Sequence, residues 1–226
     1  VRDSSLLLID LGHGKDRLGG SVYSQVTQRF DSVTPDMEDP KELKKFLELI
    51  RSLSAKGAIL AYHDRSDGGL AAALCEMMFA SHVGVEIVAD ALVSKDRTLN
   101  QALFNEELGA VIQVARGRAA EVERDFEAAG MGWSLKYLGN LTQDDHLNIY
   151  LEGKCVLSED RVDLQKAWNE VSWQIARMRD NPECADSEYE LISDKHNGGL
   201  VLTMGFDPEE NLAAPFINTG VRPKVA

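Results

Sequence analysis

The densest set of side chains able to do chemistry in this 226-residue chain is His63-Asp64-Arg65-Ser66-Asp67-Gly68-Gly69-Leu70. Asp64 and Asp67 are hard oxygen donors. Mg²⁺ takes one or two such carboxylates and completes its shell with water and phosphate oxygens. Ser66 carries a hydroxyl that can donate to a phosphate. Gly68 and Gly69 have no side chain, so a ligand's oxygens could approach the backbone there. An apolar run precedes the segment and a helical pattern follows it, and a helix N-terminus offers unpaired N–H groups and partial positive charge to an anion. The same residues also read as a plain strand-to-helix turn, with Ser66 or Asp67 capping the helix. Residue types and spacing leave both readings open.

Two further segments compete for attention. The loop over 12–21, Gly12-His13-Gly14-Lys15 through Leu18-Gly19-Gly20-Ser21, could cradle phosphate with backbone amides. It lacks the G-x-x-x-x-G-K-[ST] spacing, so a mobile surface loop is the expectation. Phe104-Asn105-Glu106-Glu107-Leu108-Gly109 places two acids just before a strand. They could sit at a ligand crevice, because open α/β sheets bind ligands at strand ends, or form a solvated turn, which is the expectation here. The histidines at 13, 63, 82, 146 and 196 have no zinc spacing, and no G-x-S-x-G elbow occurs. Cys75 falls within a helix and reads as a small core residue.

These segments must be positioned by the elements around them. Residues 5–11 read as a buried strand. Asp39, Pro40 and Glu42 make a helix start, with Asp39 capping and Glu42 completing a capping box. Leu43, Phe46, Leu47, Ile50 and Leu53 follow at helical spacing, up to Gly57. The run over 58–62 reads as a central strand. Leu70, Leu74, Met77 and Met78 mark the helix after the turn. Strands are expected over 85–88 and 110–114, and a helix along Ala119, Val122 and Phe126. A hairpin is expected around Glu152-Gly153. Leu164, Trp168, Val171, Ile175 and Met178 form the stripe of a last long helix. Trp168 is placed on its core side, and Trp173 toward another domain. Strands and helices interleave, so the fold class is α/β or α+β, a mixed β-sheet covered by helices. The hairpin excludes a purely parallel sheet. The subdomain is taken as 1–180. Residues 181–226 are read as an extended connector, with a solvated acidic run over 183–190 and a possible strand over 200–202.

Composition narrows the function classes. With 44% hydrophobic residues the chain can bury a core and is not intrinsically disordered. No apolar run reaches the roughly 18 residues of a membrane span. Twenty-four basic against 37 acidic residues give a net charge of −13, which repels phosphate backbones, so no nucleic-acid partner is expected. Three widely spaced cysteines, Cys75, Cys155 and Cys184, form no disulfide framework, and the N-terminus shows no signal peptide. A reducing, cytoplasmic location is expected. Val1 is not an initiator Met, and Arg222-Pro223-Lys224-Val225-Ala226 stops as an apolar run begins. A piece of a longer polypeptide is therefore the expectation.

Four segments carry a resemblance to a known family: Leu18-Gly19-Gly20-Ser21, Tyr62-His63-Asp64-Arg65-Ser66-Asp67-Gly68-Gly69-Leu70, Leu103-Phe104-Asn105-Glu106-Glu107-Leu108-Gly109 and Arg179-Asp180-Asn181-Pro182-Glu183-Cys184-Ala185-Asp186. In this order they resemble phosphoribosylformylglycinamidine synthase of the large, single-chain bacterial type. The tail, Ala214-Pro215-Phe216 to Arg222-Pro223-Lys224-Val225-Ala226, is similar too. The resemblance implies an ATP-dependent glutamine amidotransferase of purine biosynthesis. In that reaction the amide oxygen of formylglycinamide ribonucleotide is activated by phosphate and replaced by ammonia. It implies an aminoimidazole ribonucleotide synthetase C-terminal-like fold, with a connector leading to a glutaminase domain. The implied partners are the preceding synthetase subdomain and that glutaminase domain. The implied cofactors are Mg²⁺ and ATP or ADP, held as an auxiliary nucleotide with Asp64 on the metal and Ser66 on the nucleotide. No catalytic residue is implied within this chain. Two other readings stay beside it: a scaffold subdomain with no ligand, and a related ATP-using enzyme such as selenophosphate synthetase or thiamine-phosphate kinase.

Overall fold

In a computed structural model, which describes residues 3–29, 33–217 and 219–220, all seven residues of the first strand (β1, Ser4–Asp10) are buried. A strand hidden on both faces needs cover on both sides and neighbours on both edges. It has them. β1 pairs antiparallel with Gly109–Ala115 (β4) on one edge and with Leu135–Thr142 (β5) on the other. Ile59–Asp64 (β2) flanks β4. On the far side Gly84–Val88 (β3) joins β5, and His146–Leu151 (β6) runs parallel to β3. Lys154–Asp160 (β7) closes a hairpin with β6. The seven-stranded order is β2-β4-β1-β5-β3-β6-β7. One parallel pair among antiparallel ones makes it the mixed sheet that the interleaved pattern predicts.

Strand alternation divides the core into two layers. Leu6 and Leu8 face the helix Gly69–Ser81 (α3) through Leu70, Leu74 and Met78. Leu7 and Ile9 face the other way, toward the helices Pro40–Ala55 (α2) and Ala119–Ala128 (α5) through Phe46, Leu53, Val122 and Phe126. Short helices Val22–Val26 (α1) and Leu99–Phe104 (α4) complete this part, and Arg161–Arg179 (α6) follows β7.

Several expectations are corrected. The strand over 58–62 is an edge strand, not a central one. Its residues alternate between half-buried and exposed, which is what a strand with one uncovered face does. The central strand of the seven is β5, whose apolar run is broken by Lys136, Gly139 and Asn140. Gly139 is there for a reason: a Cβ would lie 1.8 Å from the Glu86 carbonyl oxygen. Asp39 caps α2, accepting from the Lys41 N–H, but Glu42 makes no reciprocal box and turns to His13 at 2.7 Å. Both tryptophans depart from their expected places. Trp168 is 58% exposed, whereas Trp173 stacks on Tyr189 at 4.2 Å.

Tyr189 belongs to a helix, Pro182–Leu191 (α7), inside the stretch expected to be extended. Asn181 caps it by accepting from the Glu183 and Cys184 N–H groups, and Pro182 occupies its first position. The chain divides into two units, Val1–Ser193 and Asp194–Ala226, so the division falls after α7 rather than at 180. Within the second unit residues 200–202 form no strand, and one 3₁₀ turn spans Ala214–Phe216. The 222–226 tail lies outside the described residues. Among the described residues no helix is long and apolar enough to cross a membrane.

Candidate functional site

β2 ends at Asp64, and the chain then turns into α3. The residue that shapes the turn is Arg65. Its side chain is fully buried and points back into the protein. Nε donates to the Glu107 carbonyl at 2.6 Å, and Nη2 donates to Asp10 Oδ1 at 2.7 Å and to the Leu108 carbonyl at 3.0 Å. Its backbone N–H donates to the Gly109 carbonyl. With Arg65 drawn inward, Asp64, Ser66 and Asp67 are exposed. Asp64 accepts a short hydrogen bond from the Tyr62 hydroxyl on Oδ1. Burial and the Asp64 carboxylate together raise the Tyr62 phenol well above its ordinary pKa, so the hydroxyl stays a donor. The neighbouring His63 turns away to Glu76, at 2.7 Å.

Asp10 is the anchor behind the turn. Burial alone would raise its pKa, but Arg65, Lys136 at 3.1 Å and the Gly12 N–H outweigh burial and hold the carboxyl far below the usual range. Arg97 stands 3.6 Å from Asp10 and pairs with Asp16 at 2.6 Å. Burial raises the Asp16 pKa against the pull of Arg97. In front of Asp10, a cavity of about 400 Å³ is lined by His13, Gly14, Trp133 and Lys136, with His13 stacked on Trp133 at 4.1 Å.

The start of α3 departs from both readings of the turn. Neither Ser66 nor Asp67 caps the helix. Its cap is Gly68, at φ +80° in the left-handed region. The Gly68 N–H donates to Glu106 Oε1 at 2.9 Å, and the Val22 N–H at the start of α1 donates to the same oxygen at 2.9 Å. A protein carboxylate thus takes the place that the sequence reading offered to phosphate. Nor does Gly69 make room for a ligand. A Cβ there would lie 2.6 Å from the Asn105 carbonyl oxygen, so the close approach is the protein's own backbone.

The Asn105–Glu107 segment is likewise no solvated turn. Glu107, with its side chain 1% exposed, receives both Nε and Nη2 of Arg17 at 2.7 Å. Asn105 is buried and donates to Asp16. These contacts fasten the 12–21 loop, expected to be a mobile surface segment, at Asp16 and Arg17. The structure therefore brings together residues that the sequence reading passed over: Asp10, Asp16, Arg17, Arg65 and Arg97. One signal was available. Asp10 is a charge inside an otherwise unbroken apolar run, and such a charge needs a buried partner.

The donor set at the turn fits a share of a Mg²⁺ shell: exposed Asp64 and Asp67 carboxylates, with the Ser66 hydroxyl between them. Among the described residues no group of three or more His, Cys, Asp or Glu side chains converges on one point to hold a metal. Cys75 is no nucleophile in this setting. Burial, and Glu76 beside it, push its thiol up to about 11.

Residues 4–152 match the family model described as AIR synthase related protein, C-terminal domain. Similar solved structures include three from Thermotoga maritima. PurLQS superposes with a TM-score of 0.59 at 12% identity, over 71% of this chain and 26% of that chain. PurL complexed with FGAR gives 0.57 at 14% identity, over 73% and 28%. PurL complexed with ATP gives 0.55 at 12% identity, over 71% and 25%. These likenesses concern the fold, and the chain spans about a quarter of each of those proteins.

Proposed function

From the premise that the chain belongs to the AIR synthase related family, as its C-terminal domain, we propose that it is the last synthetase subdomain of a large, single-chain phosphoribosylformylglycinamidine synthase. That enzyme would convert formylglycinamide ribonucleotide, glutamine and ATP to formylglycinamidine ribonucleotide in the cytoplasm. The preceding synthetase subdomain would complete the site, and residues 194–226 would lead to the glutaminase domain. The share of this chain would be an auxiliary Mg²⁺–ADP or Mg²⁺–ATP site, with the reaction itself carried out elsewhere in the polypeptide. Asp64 would give the metal a carboxylate oxygen, and Ser66 would donate its hydroxyl to the nucleotide. The metal, when bound, neutralises phosphate charge.

The observation that carries this reading is the geometry of the turn: within a domain of this family, Arg65 is locked inward while Asp64 and Ser66 are left exposed, with Asp64 Oδ1 held by the Tyr62 hydroxyl and Oδ2 facing outward for a cation. The PurL structures with ATP and with FGAR support the class of ligand for the parent enzyme. The test uses the full-length polypeptide that carries this chain. It should turn over formylglycinamide ribonucleotide with glutamine and ATP, and it should retain nucleotide and Mg²⁺ through desalting. In Asp64→Asn the retained nucleotide should fall. Full-length protein without that turnover would sink the enzyme assignment, and unchanged nucleotide content in Asp64→Asn would sink the site.

One observation favours a second reading, a scaffold subdomain with no ligand of its own. Glu106 already occupies the Gly68 N–H, so the helix start is satisfied internally. Unchanged nucleotide content in Asp64→Asn is the outcome this reading expects.

A further inference from the structure

We propose that Tyr62 is a positioning residue for Asp64, fixing which carboxylate oxygen is presented to a divalent cation. The inference rests on the reading of Asp64 as a metal ligand. Tyr62 and Asp64 are two apart on β2, so their side chains leave the strand on the same face. Their partners across the sheet are Ile112 and Ala110, with His63, between them, opposite Val111. On this margin of the sheet Tyr62 remains 39% exposed, and Asp64 is exposed as well. An exposed aspartate ordinarily samples several rotamers. Here the Tyr62 hydroxyl donates to Oδ1, which selects one orientation and leaves Oδ2 as the oxygen free for a cation. Phe would keep the partial burial of the ring, so the hydroxyl is what Tyr62 supplies that Phe would not.

Carboxylates that bind metals are commonly oriented by such a hydrogen bond, and losing the partner typically weakens metal affinity about 10- to 100-fold. The experiment uses the full-length enzyme stripped of nucleotide and titrated with Mg²⁺ at fixed ADP, with binding followed by calorimetry. Tyr62→Phe should raise the Mg²⁺ concentration needed for half-maximal ADP binding by about 10- to 100-fold. Tyr62→Ala should do no worse than Phe, because the hydroxyl is lost in both. The thermal midpoint of Tyr62→Phe should match wild type, since Phe keeps the ring and the acceptor it leaves behind, Asp64, is exposed to water. Asp64→Asn serves as the reference. If Tyr62→Phe binds like wild type while Asp64→Asn fails, the positioning role is overturned and the metal-ligand reading stands. If Asp64→Asn also binds like wild type, that reading falls and the inference falls with it. A Tyr62→Ala defect that Phe restores would assign Tyr62 to packing and overturn the proposal.

Discussion

Two acidic turns lie side by side at the same end of the sheet, and they behave in opposite ways. The turn over 64–67 exposes both its aspartates, while the turn over 105–107 buries Asn105 and Glu107. In sequence the two are hard to tell apart: each is a short polar stretch with two acids beside a strand. The difference lies in the arginines. Arg17 reaches Glu107 from the glycine loop and makes its burial tolerable, since a buried charge survives only when paired and hydrogen-bonded. Arg65 sits within the other turn, but its guanidinium is spent on Asp10 and on two carbonyls of the 105–109 segment. Its own aspartate neighbours are left without it. One arginine therefore locks the second turn to the sheet and, by the same contacts, sends the acids of the first turn outward. A turn that holds the fold and a turn left open to solvent arise from the same residue types.

The sharpest way to break this contrast is Glu107→Ala. It leaves the Arg17 guanidinium, only 10% exposed, without its bidentate partner. Removing one member of a buried pair costs about 3–5 kcal/mol. A urea titration of the full-length protein should show that loss. A change under about 1 kcal/mol would mean that Glu38, which Arg17 also touches at 2.9 Å, takes over the pairing.

Asp10→Asn comes next, and it carries a pH signature. Asp10 is buried and has three cations around it, at 2.7, 3.1 and 3.6 Å. At pH 7 the loss should be about 3 kcal/mol, the low end for a broken buried pair, because Asn still offers Arg65 an acceptor. The folded pKa of Asp10 lies below the unfolded value of about 3.9, so its stabilisation is complete above that pH and is lost as pH falls through the folded value. Wild type and variant should therefore converge in acid, beginning near about pH 4. Denaturation curves that stay parallel from neutral pH into strong acid would contradict the assignment of the charge to Asp10.

A smaller effect is expected where the two turns meet. Glu106→Gln keeps the shape and one acceptor but removes the charge behind two N–H···O contacts. Charge-assisted bonds exceed neutral ones by about 1 kcal/mol, so a loss of that order should follow. Amide hydrogen exchange at Gly68 and Val22 should speed up together, since one oxygen serves both. Faster exchange at only one of them would show that the carboxylate does not bridge the two helix starts.

Much of the fold was legible in residue order, and the reasons are local. The β1 run, the Asp39-Pro40 start of α2 and the Glu152-Gly153 hairpin are each specified by patterns within a few residues. β5 was not, because what decides it is the close approach of Glu86 to Gly139, a contact from a strand 53 positions earlier in the chain. The place of Trp173 is hidden in residue order for the same kind of reason: α7, which covers it, begins only at Pro182. At the turn, residue types placed Asp64 and Ser66 on a polar segment after a strand, and the structure leaves both exposed. The arginines that decide which acids are buried could not be assigned, because Arg17, Arg65 and Arg97 act on partners 90, 55 and 81 positions away.

The smallest expected effect on stability completes the comparison from the other side. Asp64 is exposed, and the Tyr62 hydroxyl is its side-chain partner, so Asp64→Asn has no buried charge to strand. Asp67 is exposed as well. Surface substitutions of this kind usually stay within about 0.5 kcal/mol. Each single variant should unfold in urea at the wild-type midpoint, in contrast to Glu107→Ala and Asp10→Asn. A destabilisation of 2 kcal/mol or more, roughly what losing a buried polar partner costs, would mean that the 64–67 turn is held by its acids after all. The outward turn would then be part of the scaffold, and the distinction between the two turns would collapse. Full stability with diminished nucleotide content would instead separate ligand binding from folding at Asp64, because the same exposure that makes the carboxylate dispensable to the fold leaves it available to a metal.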